Sequence, residues 1–91
     1  MEEIRKTDAE ELKRNKCDNE RLIESSINNE NITVGFFIDN LLMFAISVNR
    51  NSVVGTPPIY SRPNLSERER QKMLGQIMQF LRDNYPSIKG L

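Results

Sequence analysis

The chain has 91 residues, with 13 basic and 13 acidic side chains, one cysteine, and neither histidine nor tryptophan. This length predicts one small domain over residues 1–91, and a domain of this size buries only about 60–65% of its unfolded surface. The lack of histidine excludes Ser-His and Cys-His nucleophile pairs and imidazole metal ligands. We therefore predict no catalytic residue, no metal site and no cofactor.

The single cysteine and the first residues of the chain are evidence for the cellular compartment of the protein. Cys17 has no partner for an intramolecular disulfide, and the charged start of the chain differs from a secretory signal. Both features predict a cytoplasmic protein. The apolar stretch 32–48 is at the lower length limit for a bilayer helix and contains Asp39, so it predicts a buried core segment and no membrane partner.

The first 30 residues are charged and predict a helix. Thr7 and Glu10 have the spacing of a capping box, which predicts a helix over about residues 8–27. Apolar positions are sparse in its first half, so residues 1–15 are expected to project from the body or to be flexible. The second half has a better apolar face and is expected to pack on the body.

Two apolar runs follow, residues 32–38 and 41–48, and they flank the polar pair Asp39-Asn40. Both polar residues tolerate the positive φ that a type I′ turn requires, so the pattern predicts a two-stranded antiparallel hairpin with two apolar faces. The alternative is one buried helix in an all-α three-helix fold, because the second run is rich in helix formers. In the hairpin, alternation places four residues of the second strand on one face: Leu42, Phe44, Ile46 and Val48.

The last third of the chain predicts a loop and a helix. Residues 49–65 contain three of the four prolines and predict an irregular loop. Ser66 and Glu69 form a second capping box, and Pro86 ends the helix that follows. Its apolar side chains recur at steps of three and four residues. They are Met73, Leu74, Ile77, Met78, Leu81 and Tyr85.

Together these elements predict an α+β fold in the order helix, hairpin, Pro-rich loop, amphipathic helix. The last helix should cover one hairpin face, and the first helix or a second copy should cover the other. The contacts expected for the last helix join Leu74, Ile77, Met78 and Leu81 to Phe36, Phe44 and Ile46.

The loop contains a candidate protein-binding motif. Pro57-Pro58-Ile59-Tyr60 matches the PPxY pattern that WW domains bind, and Arg62 follows it. Such short strings also arise by chance. The competing interpretation is a proline-stiffened loop with Tyr60 packed on the core.

The neutral total hides an uneven distribution of charge. Residues 1–30 sum to −3, residues 31–48 to −1 and residues 49–91 to +4. One interpretation of the positive part is a phosphate-contacting patch for nucleic acid. Glutamates at helical spacing can neutralise much of it locally, which favours a solvated helix face instead. The candidate nucleic-acid-binding residues are Arg62, Arg68, Arg70 and Lys72.

The function that we predict is non-enzymatic protein binding by a small cytoplasmic adaptor, inhibitor or regulator. Opposite charges at the two ends of the chain, and two apolar hairpin faces, favour self-association as a homodimer. The high asparagine content is typical of an AT-rich genome and suits a phage or mobile-element accessory protein. The alternative function is a nucleic-acid-binding regulator that uses the basic patch.

Overall fold

The computed structural model of the protein describes residues 1–53 and 55–91. These residues form one antiparallel sheet with strand order β1-β2-β3-β4 and three helices. The strands are β1 (Glu2–Lys6), β2 (Asn31–Ile38), β3 (Leu41–Asn49) and β4 (Ile59–Ser61). The helices are α1 (Ala9–Arg14), α2 (Glu20–Ile27) and α3 (Glu67–Asn84). The α+β class is confirmed, while the all-α alternative and the sheet of only two strands are wrong.

The predicted hairpin forms the centre of the sheet as β2 and β3. Asp39 and Asn40 have φ values of 50° and 67°, as a type I′ turn requires. Phe36 pairs with Phe44 but Phe37 pairs with Leu42, so β3 carries a bulge between these pairs. Strict alternation was therefore wrong next to the bulge, since Leu42 lies on the opposite face from Phe44 and Met43 lies on the same face as Phe44.

Helices cover both faces of the sheet within one chain. On one face, α3 buries Met73, Ile77 and Leu81 against the sheet, and the predicted contact set of this helix is confirmed. On the other face, α1 and α2 bury Leu12 and Leu22. Of the two alternatives for covering the second face, the first helical region therefore does so within one chain.

The continuous helix predicted over residues 8–27 is wrong, because this region is divided into α1 and α2. The residues before it form the edge strand β1, which was not predicted from the sequence. The cap of α1 is Asp8, whose side chain accepts from the Glu11 amide, rather than Thr7. The chain turns between the helices at Lys16, which has a φ of 59°. Asn19 is the N-cap of α2, and its side-chain oxygen accepts a hydrogen bond from the Leu22 amide.

Residues 1–15 pack with the rest of the domain instead of projecting from it. β1 is paired with β2 along its whole length, from Glu2 opposite Ile38 to Lys6 opposite Val34. Leu12 in α1 is fully buried. Local sequence gave no sign of this arrangement because β1 pairs with a segment about 30 residues away.

The last third of the chain is close to its prediction. Ser66 and Glu69 form the predicted capping box, and α3 ends just before Pro86. The loop predicted over residues 49–65 starts within β3, which ends at Asn49, and it contains an isolated bridge from Ser52 to Lys89. It also contains β4, whose Tyr60 pairs with Ala45; residue 54 lies outside the described residues.

Candidate protein-binding edge

The PPxY motif does not present its tyrosine to solvent. Tyr60 is 6% exposed and packs in the core under α1 and α2, and burial raises the pKa of its hydroxyl. The Pro58 carbonyl accepts a hydrogen bond from the Ser47 amide. Pro57 and Pro58 thus lead into strand β4, and this geometry matches the packed-loop interpretation of the motif.

The four basic residues predicted to bind nucleic acid differ in whether other groups of the protein already bond to them. The Arg62 guanidinium donates to the Leu42 carbonyl at 2.8 Å, which fixes it against the end of the sheet. Arg70 forms an ion pair with Glu67, and this contact lowers the pKa of the Glu67 carboxyl. Arg68 and Lys72 are exposed on α3.

Arg62 instead lies with two basic residues that the sequence prediction missed. Arg14, Lys16 and Arg62 line one open hollow of about 410 Å³ beside Tyr60. Lys16 reaches it because the chain reverses there with a positive φ. No local pattern could indicate this cluster, since its members are brought together by the packing of α1 on the sheet.

A polar cleft of about 370 Å³ lies at the end of the sheet near α2. Two hydroxyl groups that line it bond to each other, since Ser25 Oγ donates to Ser47 Oγ at 2.8 Å. The buried Thr33 Oγ1 donates to the same Ser47 oxygen at 3.0 Å. The side-chain amide nitrogen of Asn31, Nδ2, donates to Ser25 Oγ at 2.8 Å. This network satisfies its own polar groups and therefore stabilises the contact of α2 with the sheet.

The two edge strands of the sheet, β1 and β4, differ in how well they are protected against the addition of a further strand. β4 has only three residues, lies between Pro58 and Pro63, and its Ile59 carbonyl accepts a hydrogen bond from the Asn19 side chain. Prolines and short length are common means of blocking strand addition. β1 has five residues, and it contains no proline.

The backbone of β1 alternates between paired and open positions. The Asp39 amide donates to the Met1 carbonyl, and the Thr7 amide donates to the Thr33 carbonyl, so odd-numbered residues face β2. The amides and carbonyls of the even-numbered residues therefore point away from the sheet. These residues are Glu2, Ile4 and Lys6. Among residues 1–53 and 55–91, no side chain caps these outward groups.

Arg5 holds β1 against α1 and so keeps this edge in place. Its guanidinium lies 2.6 Å from both Glu3 Oε1 and Glu11 Oε1, and 3.8 Å from the centre of the Phe37 ring. Thr7 Oγ1 also donates to the Glu11 carboxylate at 2.7 Å. The hydrogen bond from Arg5 is the main cause of the lowered pKa of Glu11 and of the raised pKa of Arg5 itself.

Candidate metal ligands and the single cysteine are the remaining groups of chemical interest in the described part of the chain. Residues 1–53 and 55–91 bring together no group of three or more Cys, Asp or Glu side chains that could hold a metal ion. Cys17 is buried, and burial raises the pKa of its thiol.

Comparison of the chain with protein-family models, curated proteins and solved structures gives no match. In the two described ranges, no helix is both long enough and apolar enough to traverse a bilayer. The candidate site therefore rests on the geometry of the sheet edge.

Proposed function

We propose that this chain is a non-enzymatic, cytoplasmic protein-binding domain that acts as an adaptor, inhibitor or regulator. Its binding surface is the open edge of β1, where a protein segment in extended conformation adds as a further strand. The observation that carries this proposal is the row of outward-facing backbone groups at Glu2, Ile4 and Lys6. The absence of histidine from the sequence also favours binding over acid-base chemistry.

Strand addition suits this edge for a simple physical reason. Backbone donors and acceptors on a sheet edge form a ready template for another strand, and their hydrogen bonds provide affinity. The opposite edge is blocked, so addition is directed to β1. The Arg5 contacts with Glu3 and Glu11 hold the edge in extended form before any partner arrives, which reduces the entropic cost of binding.

Photo-crosslinking in the native host tests this proposal. A photoreactive amino acid in place of Glu2 should give covalent adducts with a defined partner. The same amino acid in place of Glu24, which is exposed on α2, serves as the control for unspecific capture. Equal adduct yields at the two positions would refute the assignment of the binding surface to β1.

A backbone variant makes the same test more specific. Lys6→Pro deletes an outward-facing amide without removing a hydrogen bond to β2, so the sheet should remain intact. We expect this variant to lose the adducts at position 2, whereas Lys6→Ala, which keeps the amide, should retain most of them. If the proline variant folds and still forms the adducts, strand addition is not the mode of binding.

Nucleic-acid binding is the second candidate, and the basic hollow of Arg14, Lys16 and Arg62 favours it. Binding of this kind would weaken steeply as salt rises. In a gel shift at low salt, Lys16→Glu should reduce binding more than Arg68→Glu, which makes the same charge change on α3. No shift with the unmodified protein would exclude this function.

A further inference from the structure

The charges of β1 reverse about its central residue. The strand reads Glu2-Glu3-Ile4-Arg5-Lys6, with two acids before Ile4 and two bases after it. We propose that the occupant of the β1 edge is a second copy of this chain, paired antiparallel so that the two Ile4 residues face each other across a two-fold axis. This inference rests on the proposed function, because it names the partner of the same edge.

The backbone geometry selects this register. Outward-facing groups occur only at even-numbered positions of β1, so an added strand must align even positions with even positions. Pairing about Ile4 places Glu2 opposite Lys6 of the second copy and satisfies all outward groups of both strands. A shift by two residues in either direction leaves one outward residue of each strand without a partner within the other strand.

The side chains select the same register. On one face of the sheet, Glu2 of each copy would lie opposite Lys6 of the other, and on the other face Glu3 would lie opposite Arg5. Opposite charges in facing positions stabilise a strand pair, and like charges destabilise it. A shift by two residues would instead place Glu3 opposite Glu3, or Arg5 opposite Arg5. Parallel pairing in register would place like charges opposite each other at every charged position.

Two of these charged residues have no ionic partner within one copy. Glu2 and Lys6 are exposed, and in the described ranges neither takes part in an ion pair. Ile4 is only partly covered by the core beneath α3. Dimerisation would give the two charges their partners and would cover the remaining apolar surface of Ile4. The product is a continuous eight-stranded sheet with helices on both faces of each half.

Charge reversal at the two outer positions tests the register. Glu2→Lys alone places lysine opposite Lys6 at both ends of the pair, and Lys6→Glu alone places glutamate opposite Glu2. Each variant alone should therefore have a dissociation constant at least about tenfold higher than the unmodified chain. An equimolar mixture of the two variants should dimerise again, because every facing pair in the mixed dimer has opposite charges.

The measurement is the mass in solution by sedimentation equilibrium over a concentration series. The unmodified chain should approach twice its monomer mass of 10.6 kDa, each variant alone should remain closer to the monomer, and the mixture should return to the dimer. Glu24→Lys and Lys72→Glu carry the same charge changes on exposed helix positions. Alone and mixed, these control variants should behave as the unmodified chain does. Circular dichroism should show the same fold for every variant.

Three results would overturn the proposal. They are a monomer at millimolar concentration, dimers that are insensitive to both single reversals, and a mixture that stays monomeric. The crosslinking experiment separates this failure from failure of the proposed function. Adducts of position 2 with a different protein would leave the edge as a binding surface while refuting the second copy as its occupant.

Discussion

Leu12 provides a direct test of whether α1 belongs to the cooperative core. Its side chain has no exposed surface and packs with Leu22 and Phe37 on the face of the sheet opposite α3. Leu12→Ala deletes three carbons, and at about 0.8 kcal/mol for each the lost transfer free energy is about 2.4 kcal/mol. The cavity left behind raises the expected loss to about 3–4 kcal/mol.

Such a loss is a large fraction of the stability of a 91-residue domain, for which about 5–14 kcal/mol is typical. Urea unfolding followed by circular dichroism, at one fixed protein concentration, measures the change in the free energy of unfolding. In a thermal scan the midpoint should fall by about 12–32 °C.

The matched control is Leu41→Ala, which makes the same deletion at a side chain that is 46% exposed. We expect this change to cost only about 1 kcal/mol, because about half of the deleted surface is already in contact with water. A loss below about 1 kcal/mol for Leu12→Ala would refute the packing of α1 described above. It would favour the projecting segment that the sequence alone predicts.

Three further changes test local features. Gly35→Ala should destabilise the fold by about 1–3 kcal/mol in urea unfolding, because the new Cβ would lie 2.7 Å from the Phe37 ring. Gly75→Ala adds the same methyl group on the open surface of α3 and should instead stabilise the fold by about 0.5–1 kcal/mol. Equal effects of the two substitutions on the free energy of unfolding would contradict these expectations. Ser66→Ala removes the cap of α3 and should cost about 1 kcal/mol in the same assay, and no change would show that the capping box contributes nothing. Glu11→Gln tests pH dependence: the folded-state pKa of Glu11 is lowered, so its contribution is present at neutral pH and is lost as the pH falls through that pKa. The stability difference between the unmodified chain and Glu11→Gln should therefore shrink in acid, and a difference that grew there would contradict the ion pair with Arg5.

The features predicted correctly depend on neighbours in sequence. The hairpin turn at Asp39-Asn40 and the cap at Ser66 are encoded within four or five residues. The apolar stripe of α3 repeats at helical spacing, so its buried face could be read directly. These features are the same in the folded protein as in the prediction, because the interactions that produce them are local.

The features predicted wrongly depend on pairing at a distance. Nothing within Glu2–Lys6 favours a strand over a helix, and it becomes one only because β2 offers an unpaired edge about 30 residues later. β4 is a strand for the same reason, through its pairing with β3. The break between α1 and α2 also depends on tertiary contacts, since Asn15 accepts from the Leu42 amide and Cys17 enters the core.

The candidate binding edge combines the two kinds of information. The reversal of charge about Ile4 is visible in the sequence. It indicates a binding partner only once β1 is known to be a strand with one open side. The sequence by itself determined the central hairpin, the last helix and its cap, and the uneven distribution of charge. Only the tertiary structure decided that helices cover both faces of the sheet and that β1 is its open edge. The physical reason is that turns, caps and helical stripes arise from interactions within a few residues, whereas strand order and edge exposure arise from contacts that span the whole chain.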